Sequence, residues 1–146
     1  MTQPMSVLGS DIAKLVFHVV GMDDTGQVVL RKRLARSELL PYIAKLPPLR
    51  MGLEACGSAH DWARCFRKHG PEVRLIAPQC IKAYVKSPTH NARDAAAICE
   101  AVTRPTMRFV PIKSVEQQDI QSLHRVRERL VKNRTALTDT LPAGSR

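Results

Sequence analysis

Apolar and polar positions over residues 6–34 follow the short-period pattern of strands. Residues 6–11, Ser-Val-Leu-Gly-Ser-Asp, form an apolar segment that ends in an acid. Residues 15–20 are apolar apart from His18 and include the β-branched Val16, Val19 and Val20, and residues 27–34 follow the turn cluster Met22-Asp23-Asp24-Thr25-Gly26. Three strands with short links predict an antiparallel meander. The period then changes. Ser37 is the expected N-cap of a helix carrying Leu39, Leu40, Ile43, Ala44 and Leu46, stopped by Pro47-Pro48. Residues 50–55 read as a buried strand with the acid Glu54 near its end. Ser58 is expected to cap a helix to about His69, closed by Gly70-Pro71, and a strand at 72–76 follows. A short helix at 78–85, a loop at 86–90, a helix at 92–102 and an extended stretch at 108–112 complete this part of the chain. From Ser114 to about Thr138 one long helix is predicted, with Val115, Ile120, Leu123, Val126, Leu130 and Leu137 near one face.

This order of elements predicts an α/β fold with mixed strand directions. The strands at Val7, Met51 and Val73 would be parallel, joined by helical crossovers. Open sheets of this kind bind ligands beyond the carboxyl ends of their strands, which is where Asp11 and Glu54 fall. On neighbouring strands about 4.8 Å apart, the two carboxylates would converge on one rim. Hard oxygen ligands so close suit Mg²⁺ or Mn²⁺, and without a cation they resist joint ionisation. Asp94, near the start of the helix after the loop, is a third candidate, and Asn91 three residues earlier would share its helical face.

Each of these residues also has a plain structural role open to it. Asp11 could form a turn, Glu54 and Asp94 could complement helix N-termini, and Asn91 could be an N-cap. Asp23-Asp24 reads as a turn, His60 and Asp61 as surface groups or groups behind the site, and Trp62 as core beside Phe66.

At 146 residues, 44% hydrophobic and 25% charged, the chain suits one soluble domain of about 100–200 residues. No apolar stretch approaches the ~20 residues of a membrane span, and the start MTQPMSVLGSDIAK lacks a signal-peptide pattern, so a cytoplasmic protein is expected. Cys56, Cys65, Cys80 and Cys99 form no C-x-x-C pair, and are expected to be buried or half-buried thiols rather than zinc ligands or disulfides. Net charge changes the picture more. The chain carries +10, with 7 basic and 5 acidic residues in 1–56, 9 and 4 in 57–112, and 7 and 4 in 113–146. Such a field attracts phosphates. Arg125, Arg127, Arg129, Lys132 and Arg134 on the last helix suit contact with a nucleic-acid backbone, or they are a solvated face. The apolar stripe of that helix suggests a homodimer. With 4% aromatic residues, a base-stacking platform for single strands is not expected.

The stretches LGSDIAKLVFHVV, GLEACGSAHDWAR, LIAPQCIKAYVKS and NARDAAAICEA, in this order, resemble the N-terminal domain of a family of bacterial insertion-sequence transposases. This family includes the pilin-gene-inverting recombinase, and the similarity runs from about Val7 to Thr138. The resemblance implies an RNase H-like (RuvC-like) mixed sheet flanked by helices, with an Asp-Glu-Asp-Asp site binding Mg²⁺ or Mn²⁺. Carried over, the first Asp is Asp11, the Glu is Glu54 and the last Asp is Asp94. The remaining position departs from the family. Thr89-His90-Asn91-Ala92-Arg93-Asp94 puts an amide at Asn91 where the family has a carboxylate, and Thr89 where it has a lysine. An amide oxygen brings no charge, so weakened metal binding is expected.

The resemblance further implies DNA as partner, a structured guide RNA in at least some members, and a C-terminal domain with a nucleophilic serine. The chain is expected to lack that domain, with a frameshift or premature stop as the expected cause. The resulting plan is an RNase H-like domain at 1–112, a long amphipathic basic helix at 113–138 and an aberrant tail at 139–146. The expected function is the DNA-binding catalytic portion of a transposase, degenerate or truncated and inactive alone. The alternative is a non-catalytic basic module that binds nucleic acid or pairs with a transposase. A sugar-kinase-like phosphotransferase is set aside, because residues 12–16, Ile-Ala-Lys-Leu-Val, offer no Gly/Thr-rich phosphate loop.

Overall fold

The computed structural model describes residues 4–85 and 91–141, the last range without the side chains of residues 91 and 92. The chain divides into two compact units, residues 1–112 and 113–146. In the first unit β1 (Val7–Asp11), β2 (Val16–Met22) and β3 (Val28–Ala35) form the antiparallel meander that the alternation predicts. α1 (Arg36–Ala44) leads to β4 (Arg50–Glu54), α2 (Ala59–Arg67) to β5 (Glu72–Ile76), and α3 (Pro78–Lys82) and α4 (Asn91–Thr103) to β6 (Phe109–Val110). The six strands lie in the order β3-β2-β1-β4-β5-β6. β1, β4 and β5 are parallel, and β6 is antiparallel to β5. The mixed α/β sheet is therefore the predicted one.

Alternation along the strands divides the core in two. Leu8, Phe17, Val19, Leu34, Met51, Leu53, Val73 and Leu75 face α1 and α2, meeting Leu39, Ile43, Ala63 and Phe66. Val7, Val20 and Ile76 face α3 and α4, meeting Ile81, Ala95, Ile98, Cys99 and Val102. Trp62 belongs to the first layer, edge-on to Phe17 and stacked on Phe66 with ring centroids 5.3 Å apart in each pair. The expectation of a core role holds for it.

Several local expectations are corrected. Ser37 is not the cap of α1. β3 pairs through Ala35 and runs directly into the helix, so Ala35 takes the cap position and its N–H donates to Glu38 Oε2 at 2.8 Å. Ser58 occupies the cap position of α2 but is already helical, and its side chain caps nothing. α3 stops at Lys82 rather than at 85, and β6 is only two residues long. His60 is buried, not a surface group, because it sits on the core-facing side of α2 beside Ala59 and Ala63. Cys56 and Cys65 are exposed rather than buried, since they lie before and on the outer side of α2. Cys99 is buried as expected. Its Sγ donates to the Val20 carbonyl at 2.9 Å, and burial pushes its pKa up to about 12, which keeps the donor proton in place.

The second unit is α5 (Val115–Thr140), which extends past the predicted end at 138. A reciprocal cap starts it: Gln117 N–H donates to Ser114 Oγ at 3.2 Å, and Ser114 N–H donates to Gln117 Oε1 at 3.0 Å. No residue of α5 is buried. The loop expected at 86–90 and the tail from 142 lie outside the described residues.

Candidate functional site

The site begins with strand parity. Val7, Gly9 and Asp11 share one face of β1, and Gly52 and Glu54 share the same face of β4, while the intervening residues turn to the α1/α2 core. β1 and β4 pair with Gly9 opposite Gly52 and Ser10 opposite Leu53, so Asp11 and Glu54 end adjacent strands at one rim.

The helix that covers this face is α4, and it lies close because the two paired positions carry no side chain. A Cβ at Gly9 would stand 2.3 Å from the Ala95 carbonyl oxygen, and one at Gly52 would stand 2.7 Å from Ile98 Cγ2. The glycine pair thus forms a trough for α4, and the first turn of that helix carries Asp94 to the rim.

The three acids act on one another. Asp11 has its carboxyl pushed above the ordinary range by burial, then by the negative charge of Asp94, with His18 pulling it back. Glu54 is likewise raised by burial, then by Asp11 and Asp94, and is pulled back by Lys82. Hard carboxylate oxygens that destabilise each other's charge are the donor set that a hard divalent cation relieves, so their chemistry fits such an ion. As the side chains stand, no three His, Cys, Asp or Glu among the described residues are close enough to enclose one. Asn91 opens α4, but its side chain lies outside the described residues, as do Thr89 and His90.

His18 and Lys82 were not among the candidates from sequence. His18 lies directly opposite Asp11 across the β1–β2 pair. The available signal was a lone polar residue in an apolar strand of the right parity. Lys82 gave no signal at all, because its proximity to Glu54 depends on how α3 returns over the sheet. The candidate nucleic-acid residues Arg125, Arg127, Arg129, Lys132 and Arg134 are all exposed on α5. Asp61 is exposed and paired with Arg64. Asp23 is a turn residue as expected: its Oδ1 accepts from the Thr25 hydroxyl and from the N–H groups of Thr25 and Gln27, and these bonds, that from the hydroxyl first, hold its pKa below the ordinary range.

A cleft of about 890 Å³ opens at the opposite rim, between the turn at 23–26 and the C-terminal end of α4. Its charged walls are largely paired with each other, Arg104 with Glu100 at 2.7 Å and Arg50 with Glu72 at 4.0 Å. None of the three rim acids lines it.

Comparison with known proteins agrees with this architecture. A relative in Pseudomonas aeruginosa, a "Probable family 20 transposase", is 56% identical over 133 residues, 91% of this chain and 39% of the relative. The "Transposase for insertion sequence element IS1111A" of Coxiella burnetii is 45% identical over 137 residues, 94% of this chain and 38% of the relative. The chain thus spans about two-fifths of the length of these curated relatives. Among solved structures, T. thermophilus RuvC in complex with a Holliday junction substrate superposes with a TM-score of 0.53 at 12% identity, covering 73% of this chain and 99% of that one. The fold is RuvC-like. Among the described residues no helix is long and apolar enough to cross a membrane. Residues 8–143 match the family of DEDD transposases of the IS110 type, described as "Transposase", and the chain belongs to that family.

Proposed function

We propose that this chain is part of the catalytic domain of a DNA transposase, with Asp11, Glu54 and Asp94 as its phosphodiester site. The observation that carries the reading is the placement of all three acids on one rim, where burial first, and then the negative charge of the neighbouring acids, raises the pKa values of Asp11 and Glu54. A divalent cation, Mg²⁺ or Mn²⁺, would be held by these carboxylates and would supply charge neutralisation and an activated nucleophile at a DNA phosphate. The chain's own contribution is positional. β1 and β4 fix two acids at strand spacing, α4 presents the third, and His18 and Lys82 flank the rim with positive charge or hydrogen-bond donors. DNA is the proposed partner, as it is the substrate of the RuvC complex with a similar fold.

Asn91 is the proposed weakness of the site, since an amide leaves the family's fourth charge unfilled. Strand transfer by a serine, and any guide RNA, would call on the remainder of the relatives' length that this chain does not match. The exposed Ile120, Leu123, Val126 and Leu130 of α5 support pairing with a second copy, and the five basic residues of that helix support contact with DNA backbone. A second reading, a basic DNA-binding or transposase-pairing module without catalysis, is favoured by the amide at Asn91.

The test is a calorimetric titration of Mn²⁺ into the chain, Asn91→Asp and Asp11→Ala. Asn91→Asp is expected to bind tighter by on the order of tenfold, equivalent to about 1.4 kcal/mol for the added charge. Asp11→Ala is expected to abolish binding. If neither the parent chain nor Asn91→Asp binds Mn²⁺, the metal-site reading is lost and the non-catalytic module takes its place.

A further inference from the structure

The face of the sheet that carries the acids extends past α4 to the edge strand β3. There His18 pairs with Arg33 and Val20 with Arg31, while His18 also pairs with Asp11. One row therefore runs Arg33–His18–Asp11 across three strands at the acid rim, with Glu54 ending the next strand. At about 4.8 Å per strand, the Arg33 backbone lies about 10 Å from that of Asp11. Leu30 and Leu34 turn to the other face, and so does Lys32, whose ammonium sits 4.4 Å from the centre of the Tyr42 ring. Alternation thus puts Arg31 and Arg33 on the acid side and leaves Lys32 behind the sheet.

Both arginines are exposed, and neither side chain forms an ion pair or hydrogen bond among the described residues. With His18, Val19, Val20 and the intervening Lys32 they line a shallow depression of about 220 Å³ along the β2–β3 edge. Two free guanidinium groups in line with the half-buried acids of the rim suit an anion that also reaches those acids. Guanidinium groups match phosphate oxygens in a planar fork, and phosphates repeat along a nucleic-acid strand. We propose that Arg31 and Arg33 hold the DNA backbone beside the phosphate that lies at Asp11, Glu54 and Asp94, so that the DNA enters the rim from the β3 side. This rests on the phosphodiester reading of the rim, and it places a DNA contact on the first unit in addition to α5.

The test measures binding of a labelled DNA duplex to the whole chain by fluorescence anisotropy over a salt series, with EDTA present, so that it does not depend on a metal site. The double variant Arg31→Gln, Arg33→Gln is expected to bind at least tenfold more weakly at low salt. Its log–log salt slope should fall by about 1.8, the value for two lost phosphate contacts. Arg31→Lys, Arg33→Lys should keep most of the slope, and Lys32→Gln, behind the sheet, should leave affinity within twofold. Thermal melts of each variant check folding. An unchanged slope in the double Gln variant would overturn the proposal. So would an equal loss from Lys32→Gln, which would mean that only net charge matters, or a loss confined to an RNA duplex with DNA binding intact. Failure here with Mn²⁺ binding through Asp11 intact would leave the metal site standing, whereas DNA contact at β3 without Mn²⁺ binding would remove only the metal.

Discussion

Asp11 and Glu54 are ionisable groups placed where ionisation is unfavourable, partly buried and facing another carboxylate at Asp94. A carboxyl whose pKa is raised on folding supports the fold most below its ordinary value, and that support is lost as pH rises through the raised value. Glu54→Gln removes the charge, so the variant should melt at a higher temperature than the parent chain at neutral pH in EDTA. The advantage should shrink as pH falls through the raised value and vanish below the ordinary 4.5. Adding Mn²⁺ at neutral pH should reverse the order, because only the parent chain keeps the ligand. Melts in EDTA that are identical at neutral and acid pH would show that Glu54 is not strained in the fold. Here the sequence was legible in part. The strand-ending position of both acids was visible in the pattern, but the partners His18 and Lys82 were not, because cross-strand register and the return of α3 are not local properties.

At the scale of elements, the site depends on the approach of α4 to β1 and β4. The glycine pair Gly9 and Gly52 decides that distance, although neither residue carries chemistry. Gly9→Ala would drive a methyl group against the backbone carbonyl of Ala95, which can yield only if the helix shifts. Gly52→Ala meets a side-chain atom, the Ile98 branch methyl Cγ2 at 2.7 Å, rather than backbone, although that buried methyl has little room to turn in its helix. Gly9→Ala is therefore expected to cost about 1–3 kcal/mol or more by overpacking, with Gly52→Ala milder. Gly9→Ala should also weaken Mn²⁺ binding with every acid in place, because Asp94 moves with its helix. Denaturant unfolding and the same calorimetric titration measure both effects, and a Gly9→Ala chain with parental stability and affinity would refute this account of the trough. The sequence offers no local hint of the pairing, since the two glycines are separated by more than forty positions and meet only through the parallel register.

At the scale of the molecule, a chain of net charge +10 carries three acids, Asp11, Glu54 and Asp94, at one rim of its sheet. On the phosphodiester reading proposed above, that contrast would draw in a polyanion while leaving one point for a cation. α5 adds five basic residues and an exposed apolar stripe, Ile120, Leu123, Val126, Leu130 and Leu137. Monomeric soluble proteins seldom leave so continuous a stripe in water. Sedimentation velocity is expected to show a dimer, and Leu123→Lys with Leu130→Lys is expected to give a monomer of unchanged α5 helicity by circular dichroism. A parent chain that sediments as a monomer at high concentration would end the pairing reading.

The sequence by itself determined the order and type of the elements, because alternation, helical spacing and Gly/Pro stops act over a few residues. It also determined which face of each strand the acids occupy, since side-chain direction in a strand depends only on counting by two. The family followed from short motifs kept in order. Only the tertiary structure decided that Gly9 meets Gly52 beneath α4 and that His18 stands between Asp11 and Arg33. These depend on which strands pair and in what register, and that is settled by burial of the whole sheet between its two helical layers rather than by any one stretch of chain.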